Sequence, residues 1–338
     1  MTADAILDPT IGFVTVEKEN TYGTDPDTSP VALMLVEAPD VPDGLREQVM
    51  QNAVKHTTGG LPHAVVKNKC EFSMQVYVAP LPFEDGAVPA IAPILVGSGF
   101  QETSQGSTSS SDVEAVYDPD PLAQGSYTVK FYRKDKKSPT NYSKITITGC
   151  RSNVTFNLQG QNRVTVDVSG EGLYAEWTPL QDFASEEPAE YHGGETPFVA
   201  NDWSIAMGSI SDICTNFSFS TNLQLNSVDQ ATADTIANEI LLTVDRDQAR
   251  AGGSFDPLAQ TVGATDDALD HDRNATVSAL DVDLVKSAKE WHFSAPAAQI
   301  GENPFEEGSG QTRYGTAYEC NEDAGDDDYQ ISWKRTAA

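Results

Sequence analysis

Cys70-Glu-Phe-Ser-Met-Gln-Val-Tyr-Val78 alternates strictly, so that Cys70, Phe72, Met74, Val76 and Val78 fall on one face. A period of two is the mark of a strand buried on one side. The same alternation recurs at Tyr127, Val129 and Phe131, at Val154, Phe156 and Leu158, and at Val164, Val166 and Val168. It returns at Phe217 and Phe219 with Leu223 and Leu225, at Leu280, Val282 and Leu284, at Trp291 and Phe293, and at Tyr329, Ile331 and Trp333. The chain therefore reads as mainly β.

Helical signals are few. Residues 44–55 place Leu45, Val49 and Val54 near helical spacing behind a candidate N-cap, Asp43. Pro89-Ala-Ile-Ala-Pro-Ile-Leu-Val-Gly97 reads as a short buried helix, with Pro89 in its first turn, Gly97 at its end and Pro93 straining its middle. Residues 284–290 read as a third short helix. Three stretches read as loops: Gln101 to Asp112, Asp182 to Asp202 and Gly252 to Asn274.

The 338 residues suffice for one large or two medium domains, and 39% hydrophobic residues support a packed core. No apolar run approaches the roughly 20 residues that span a bilayer. The opening MTADAILDPT is acidic, with no apolar segment, and reads as lacking a signal peptide. Four widely spaced cysteines, Cys70, Cys150, Cys214 and Cys320, match no zinc spacing and read as free core thiols. With 51 Asp and Glu against 21 Lys and Arg, the net charge is −30. Such a surface repels nucleic acid. It suits solubility, a halophilic host, or a conduit whose wall must not hold DNA.

No catalytic constellation stands out. GxSxG, HExxH and GxxxxGK[ST] are absent, and none of His56, His63, His192, His271 and His292 lies directly next to a Cys or Ser. Asp266, Asp267, Asp270 and Asp272, like Asp326-Asp327-Asp328, lack the pattern of a calcium loop and read as solvated charge. The sequons at Asn141, Asn153, Asn216 and Asn274 read as chance matches. Lys130, Arg133, Lys134, Lys136 and Lys137 form the densest basic cluster, on a strand and hairpin tip that would suit an acidic partner such as another copy. No catalytic residue, cofactor or metal is expected, and the chain reads as not an enzyme.

The two sides of 182–202 share a late strand, polar turn and strand: Asn153–Leu158 with Arg163–Gly170, and Trp291–Ile300 with Thr312–Cys320. Any two hairpins would share that pattern, but it suggests duplication.

The order of the motifs resembles the larger tail tube proteins of long-tailed (siphovirus-like) phages and related viruses. The resemblance rests on Glu19-Asn-Thr-Tyr-Gly-Thr-Asp-Pro26, Asn68–Tyr77, Pro89-Ala-Ile-Ala-Pro-Ile-Leu95 and Gly99-Phe100. It continues through Tyr127–Arg133, Gly149–Leu158, Val164–Gly172 and Trp291–Ile300. The loops at 182–202 and 252–274 are longer and more acidic than that pattern. The resemblance implies a structural virion protein forming stacked rings of the tail tube, a conduit for viral DNA. It would be made in the host cytoplasm and located in the virion tail. Expected partners are further copies and other tail proteins; DNA passes without specific binding, and no membrane is involved. The N-terminal arm (1–30) and the polar insertion 38–68 are expected to bridge neighbours. The expected architecture is two tail-tube-like β-sandwich or barrel domains, 1–180 and 203–338, joined by an acidic linker at 181–202. The family's rings have six tube domains, so three such chains would close a pseudo-hexamer; six chains of one tube domain each are the alternative. A β-sandwich binding module, either an adhesin or another virion surface protein, is the competing reading.

Overall fold

The computed structural model describes residues 7–39, 47–49, 64–67, 69–82, 87–105, 112–120, 124–135, 137–160, 162–182, 186–188, 190–201, 203–208, 210, 214–231, 236–243, 250–257, 268–302, 304–308, 311–321 and 328–336. The first half runs β1 (Leu7–Lys18), β2 (Val31–Leu33), β3 (Glu47–Val49), β4 (Ala64–Lys67), β5 (Lys69–Tyr77), α1 (Ala92–Val96), β6 (Phe100–Gln105) and β7 (Asp112–Pro119). It closes with β8 (Tyr127–Asp135), β9 (Ser138–Gln159) and β10 (Thr165–Asp182). The second half runs β11 (Trp203–Met207), β12 (Asn216–Ser220), β13 (Gln224–Ala231), β14 (Ile236–Thr243), β15 (Gly252–Phe255) and α2 (Ala268–Arg273). It continues through β16 (Val277–Lys286), β17 (Lys289–Glu302), β18 (Phe305–Gly308), β19 (Gln311–Tyr314), β20 (Thr316–Asn321) and β21 (Gln330–Thr336). The described residues are mainly β with two short α-helices, as the alternation leads one to expect.

Several local expectations change. Of the helix expected at 44–55, only Glu47–Val49 is described in part, and it is a strand; the rest lies outside the described residues. The helix expected at 284–290 is a hairpin. Leu284 pairs with Trp291, both fully buried, and the turn is made by Ser287 at φ 59. Packing two large apolar groups on one face outweighs a weak helical spacing. Helix α1 forms where expected but starts late, so Pro93 falls in its first turn, where a missing N–H costs nothing. The Gly97 N–H then closes the turn on the Pro93 carbonyl at 3.1 Å. Gln101–Gln105 and Gly252–Phe255 are strands rather than loops, and 268–273 is helical. The first is held by β7, the next strand along, and the second by β12 and β20, which are distant in sequence. Of the arm expected at 1–30, residues 1–6 lie outside the described residues, and β1 lies inside the sheet between β2 and β8, with Val14 and Val16 buried.

One antiparallel ladder occurs twice. In the first half, β1 pairs with β8, β8 with β9, β9 with β10 and β10 with β5. In the second, β11 pairs with β16, β16 with β17, β17 with β20 and β20 with β15. A short helix lies between the fifth-paired strand and the hairpin in each, α1 after β5 and α2 after β15. The match reaches the next strand out. Met34–Val36 runs beside β5 through the Leu35–Val76 bridge, as β12 runs beside β15. The single strand β10 corresponds to β20 and β21 in succession. These pair with the late and early parts of β17 and are separated by 322–329.

The expected break at 181–202 separates neither two sheets nor two cores. β12 pairs with β9, and β21 pairs with β7, so two strand pairings join the halves. A single apolar core holds Phe72, Val76 and Phe156 together with Phe219, Trp291 and Trp333. The two halves are repeats fused into one packed unit rather than beads on a linker.

Candidate functional site: a polar face on the shared sheet

The two ladders join into eight strands in the order Met34–Val36, β5, β10, β9, β12, β15, β20, β17. One cross-strand row reads Leu35, Val76, Val166, Phe156, Phe219, Gly253, Tyr318, Ile300. From Val76 to Ile300 its side chains point into the core; Gly253 has none, and a Cβ there would meet the Ser218 carbonyl. The adjacent row, shifted by one residue, must point the other way. It reads Gln75, Asp167, Thr155, Ser220, Gly252, Glu319, Gln299.

That outer face is a polar layer. Gln75 Nε2 donates to Asp167 Oδ1 at 2.6 Å, and Asn157 Nδ2 donates to Asp167 Oδ2 at 2.7 Å. Thr155 Oγ1 donates to Ser220 Oγ at 3.1 Å across the β9–β12 seam, and the Ser218 and Ser254 hydroxyls meet at 3.0 Å. The face is hollowed into a groove lined by Gln75, Tyr77, Asn157, Asp167, Asn216 and Ser218. Arg163 also lines the groove, its guanidinium 5.2 Å from the centre of the Tyr77 ring. Nearby, Lys69 pairs with Glu171 at 2.7 Å. A surface made mostly of hydroxyls, amides and a carboxylate offers phosphate little counter-charge.

The acidic segment after β10 is a strap. Glu186 accepts from the Tyr132 hydroxyl at 2.5 Å and pairs with Lys144 at 3.3 Å, and Glu187 lies 3.9 Å from Lys134. His192, in a left-handed turn at φ 52, accepts the Met34 N–H on Nε2 at 3.1 Å. Burial pulls its pKa down to about 4, so the ring is neutral. Glu195 then binds both Lys289 and Arg335 of the second half. Burial alone would raise the Glu195 pKa, but the two cations outweigh it and hold the carboxyl below its ordinary value.

Two members of the basic cluster are engaged within the chain. Lys130 is buried and pairs with Asp27 at 2.6 Å and Asp25 at 2.9 Å; Lys134 faces Tyr142 and Glu187. The Glu19–Pro26 motif has a plain structural task. The Glu19 carboxylate is buried and accepts from the Gly23 and Gly149 N–H groups and the Ser126 and Thr128 hydroxyls, at 2.7–2.8 Å. Tyr22 covers Gly149 and accepts the Ile240 N–H at 2.8 Å, which ties this turn to the second half.

Cys70, Cys150, Cys214 and Cys320 are buried, and none forms a disulfide. His271 is buried, while His56, His63, Asp266, Asp267, Asp326 and Asp327 lie outside the described residues. Asp270 and Asp272 sit on α2. The sequence reading missed one grouping, Asp283, Glu290 and His292, whose ligand atoms lie within 4.8 Å of one another on the outer face of the β16–β17 hairpin. Alternate acids and a histidine on either side of a two-residue turn were the available signal. His292 Nδ1 is already hydrogen-bonded to Asp283 at 2.5 Å, an ion pair when the ring is protonated. Among the described residues no helix is long and apolar enough to cross a membrane. No protein-family model and no curated protein matches the chain.

Proposed function

We propose that the chain is the tail tube subunit of a tailed virus, stacking in rings to form a conduit for DNA. The observation that carries this reading is the continuous eight-strand sheet spanning both repeats, with a hollowed polar face on which Arg163 stands among hydroxyls, amides and Asp167. A conduit wall needs a sheet that passes from unit to unit without a gap. It also needs an inner surface on which phosphate finds little counter-charge. The hydroxyl and amide face supplies the second and the fused ladders the first. Each chain contributes two tube-like repeats, the first on the N-terminal side of 181–202 and the second on the C-terminal side. Three chains then form a pseudo-hexameric ring. On this reading the chain is a virion component, not an enzyme, and its partners are its own copies and other tail proteins. Negative-stain microscopy of the purified protein at rising concentration and salt is the test. Hollow rings or tubes are expected; a monomer under every condition favours the binding-module reading.

A further inference from the structure

We infer that Asp283, Glu290 and His292, on the outer face of the β16–β17 hairpin, bind one divalent metal ion of the zinc type, with Asp281 positioning the imidazole. The inference does not depend on the tube reading above.

The argument begins with the pleat. Positions 281, 283 and 285 of β16 and 290, 292 and 294 of β17 share one face. Val282, Leu284, Trp291 and Phe293 point the other way and are fully buried, so the core holds the backbone that carries this face. Asp283 lies directly opposite His292, and Glu290 lies opposite Val285, one pleat nearer the turn at Ser287. The ligand atoms of Asp283, Glu290 and His292 come within 4.8 Å of one another. The chain has 51 Asp and Glu, but among the described residues no other group of three or more His, Cys, Asp or Glu converges in this way. Asp283 and His292 are both partly exposed, so an ion can enter with its water.

The donor set selects the ion. Calcium and magnesium take oxygen ligands, whereas an imidazole nitrogen beside two carboxylates suits zinc and its neighbours. Three protein ligands leave the fourth tetrahedral position to water. A second observation comes from behind the imidazole. His292 Nδ1 meets Asp283 Oδ1 at 2.5 Å, which leaves Nε2 3.7 Å from Asp281 Oδ1. Ser294 Oγ donates to that same Asp281 oxygen at 2.8 Å and fixes it. A carboxylate behind a ligating histidine sets the tautomer and raises the basicity of the metal-bound nitrogen. With the ion on Nδ1, the Nε2–H is left for Asp281, and the proton between Nδ1 and Asp283 is released to solvent. The charge also fits a dication. Lys334 is the cation opposite Glu290 in the same row, and it lies opposite Glu114 on its other side. The flanking positions Ser204 and Ser332 are neutral. An ion held here ties β16 to β17 and stabilises the folded chain by mass action.

The test is a calorimetric titration of the full chain with Zn²⁺ after treatment with a chelator, with Ca²⁺ and Mg²⁺ as parallel arms. One saturable Zn²⁺ site per chain is expected, which neither Ca²⁺ nor Mg²⁺ fills, and loading should raise the thermal midpoint. His292→Gln and Asp283→Asn should each abolish that site. Asp281→Asn should weaken it by about 10–100-fold, the effect of losing a carboxylate behind a ligating histidine. Unchanged Zn²⁺ binding in His292→Gln overturns the site, because the ion then sits elsewhere. Equal binding of Ca²⁺ also overturns it, since that reports only the acidic surface of a chain at −30. So does the absence of Zn²⁺ binding by wild type. Where a variant does not fold, X-ray absorption of wild type loaded with one equivalent of Zn²⁺ decides. An inner shell of one imidazole nitrogen with oxygens supports the site; a shell with sulfur, with two imidazoles or with oxygen alone overturns it. None of these outcomes depends on ring formation, so the metal site and the tube reading stand or fall separately.

Discussion

Phe156 on β9 and Phe219 on β12 are cross-strand partners at the seam between the two repeats, their ring centroids 6.5 Å apart. Phe219 also lies 4.5 Å from Phe293 and 4.8 Å from Tyr329, and Phe156 lies 5.7 Å from Trp291. The seam is thus the centre of the core and not a hinge.

It follows that the chain should unfold as one unit. Phe219→Ala should cost about 3–5 kcal/mol, as large aromatic truncations in closed cores do. Calorimetry should show one transition, shifted down as a whole. Two separated transitions, only one of them moved, would mean that the halves are independent after all.

The strap gives the fold an acid sensitivity. His192 has a folded pKa of about 4 against 6.5 for the free group. The unfolded chain binds the proton first, so stability falls as pH drops from about 6.5 to 4 and is unaffected by this group above that window. The full loss is about 3 kcal/mol, of which about 2 kcal/mol is reached by pH 5. Urea titrations at pH 7 and pH 5 should show that His192→Gln loses less stability between the two than wild type. Equal losses would remove His192 as the cause.

Glu195 works with the opposite sign. Its folded pKa is depressed by Lys289 and Arg335, so its contribution is present above the unfolded carboxylate pKa and disappears as pH falls through the lower folded value. Glu195→Gln should destabilise the protein at pH 7 by about 1–3 kcal/mol, and the difference should vanish in strong acid. A penalty that persists at low pH would point to lost packing instead.

Much of the strand content was legible because alternation is a local property. Cys70–Val78 and Val164–Val168 show their buried face within nine residues or fewer, and both are strands. The ladder repeat was only hinted at by the late hairpins. Its proof lies in which distant strands pair, and nothing near Gly252-Gly253 announces that this stretch fills a gap between Phe219 and Tyr318. The polar face was hidden for the same reason: Asp167, Thr155 and Ser220 look like ordinary polar positions until three strands are placed side by side. Lys130 misled because a cation in a basic run looks solvated, and its partners Asp25 and Asp27 lie about a hundred residues upstream.

The hollowed face should become a DNA site if cations are placed on it. Wild type should not retain duplex DNA even at low salt. Thr155→Arg with Ser218→Arg should bind it, with an affinity that falls steeply as salt rises. Tight binding by wild type would contradict the assignment of this face.

Salt should have the reverse effect on assembly. At −30 per chain, bringing copies together costs repulsion that ions screen. Light scattering should show rings and tubes forming more readily from low to high salt.

The most direct test of the whole account is image reconstruction of the assembled particle by electron cryomicroscopy. The account expects a hollow tube whose rings hold three chains and six repeats, with Gln75, Asp167, Thr155 and Ser218 facing the channel. A tube with this face turned outward, or a protein that stays monomeric at every concentration and salt, would contradict it.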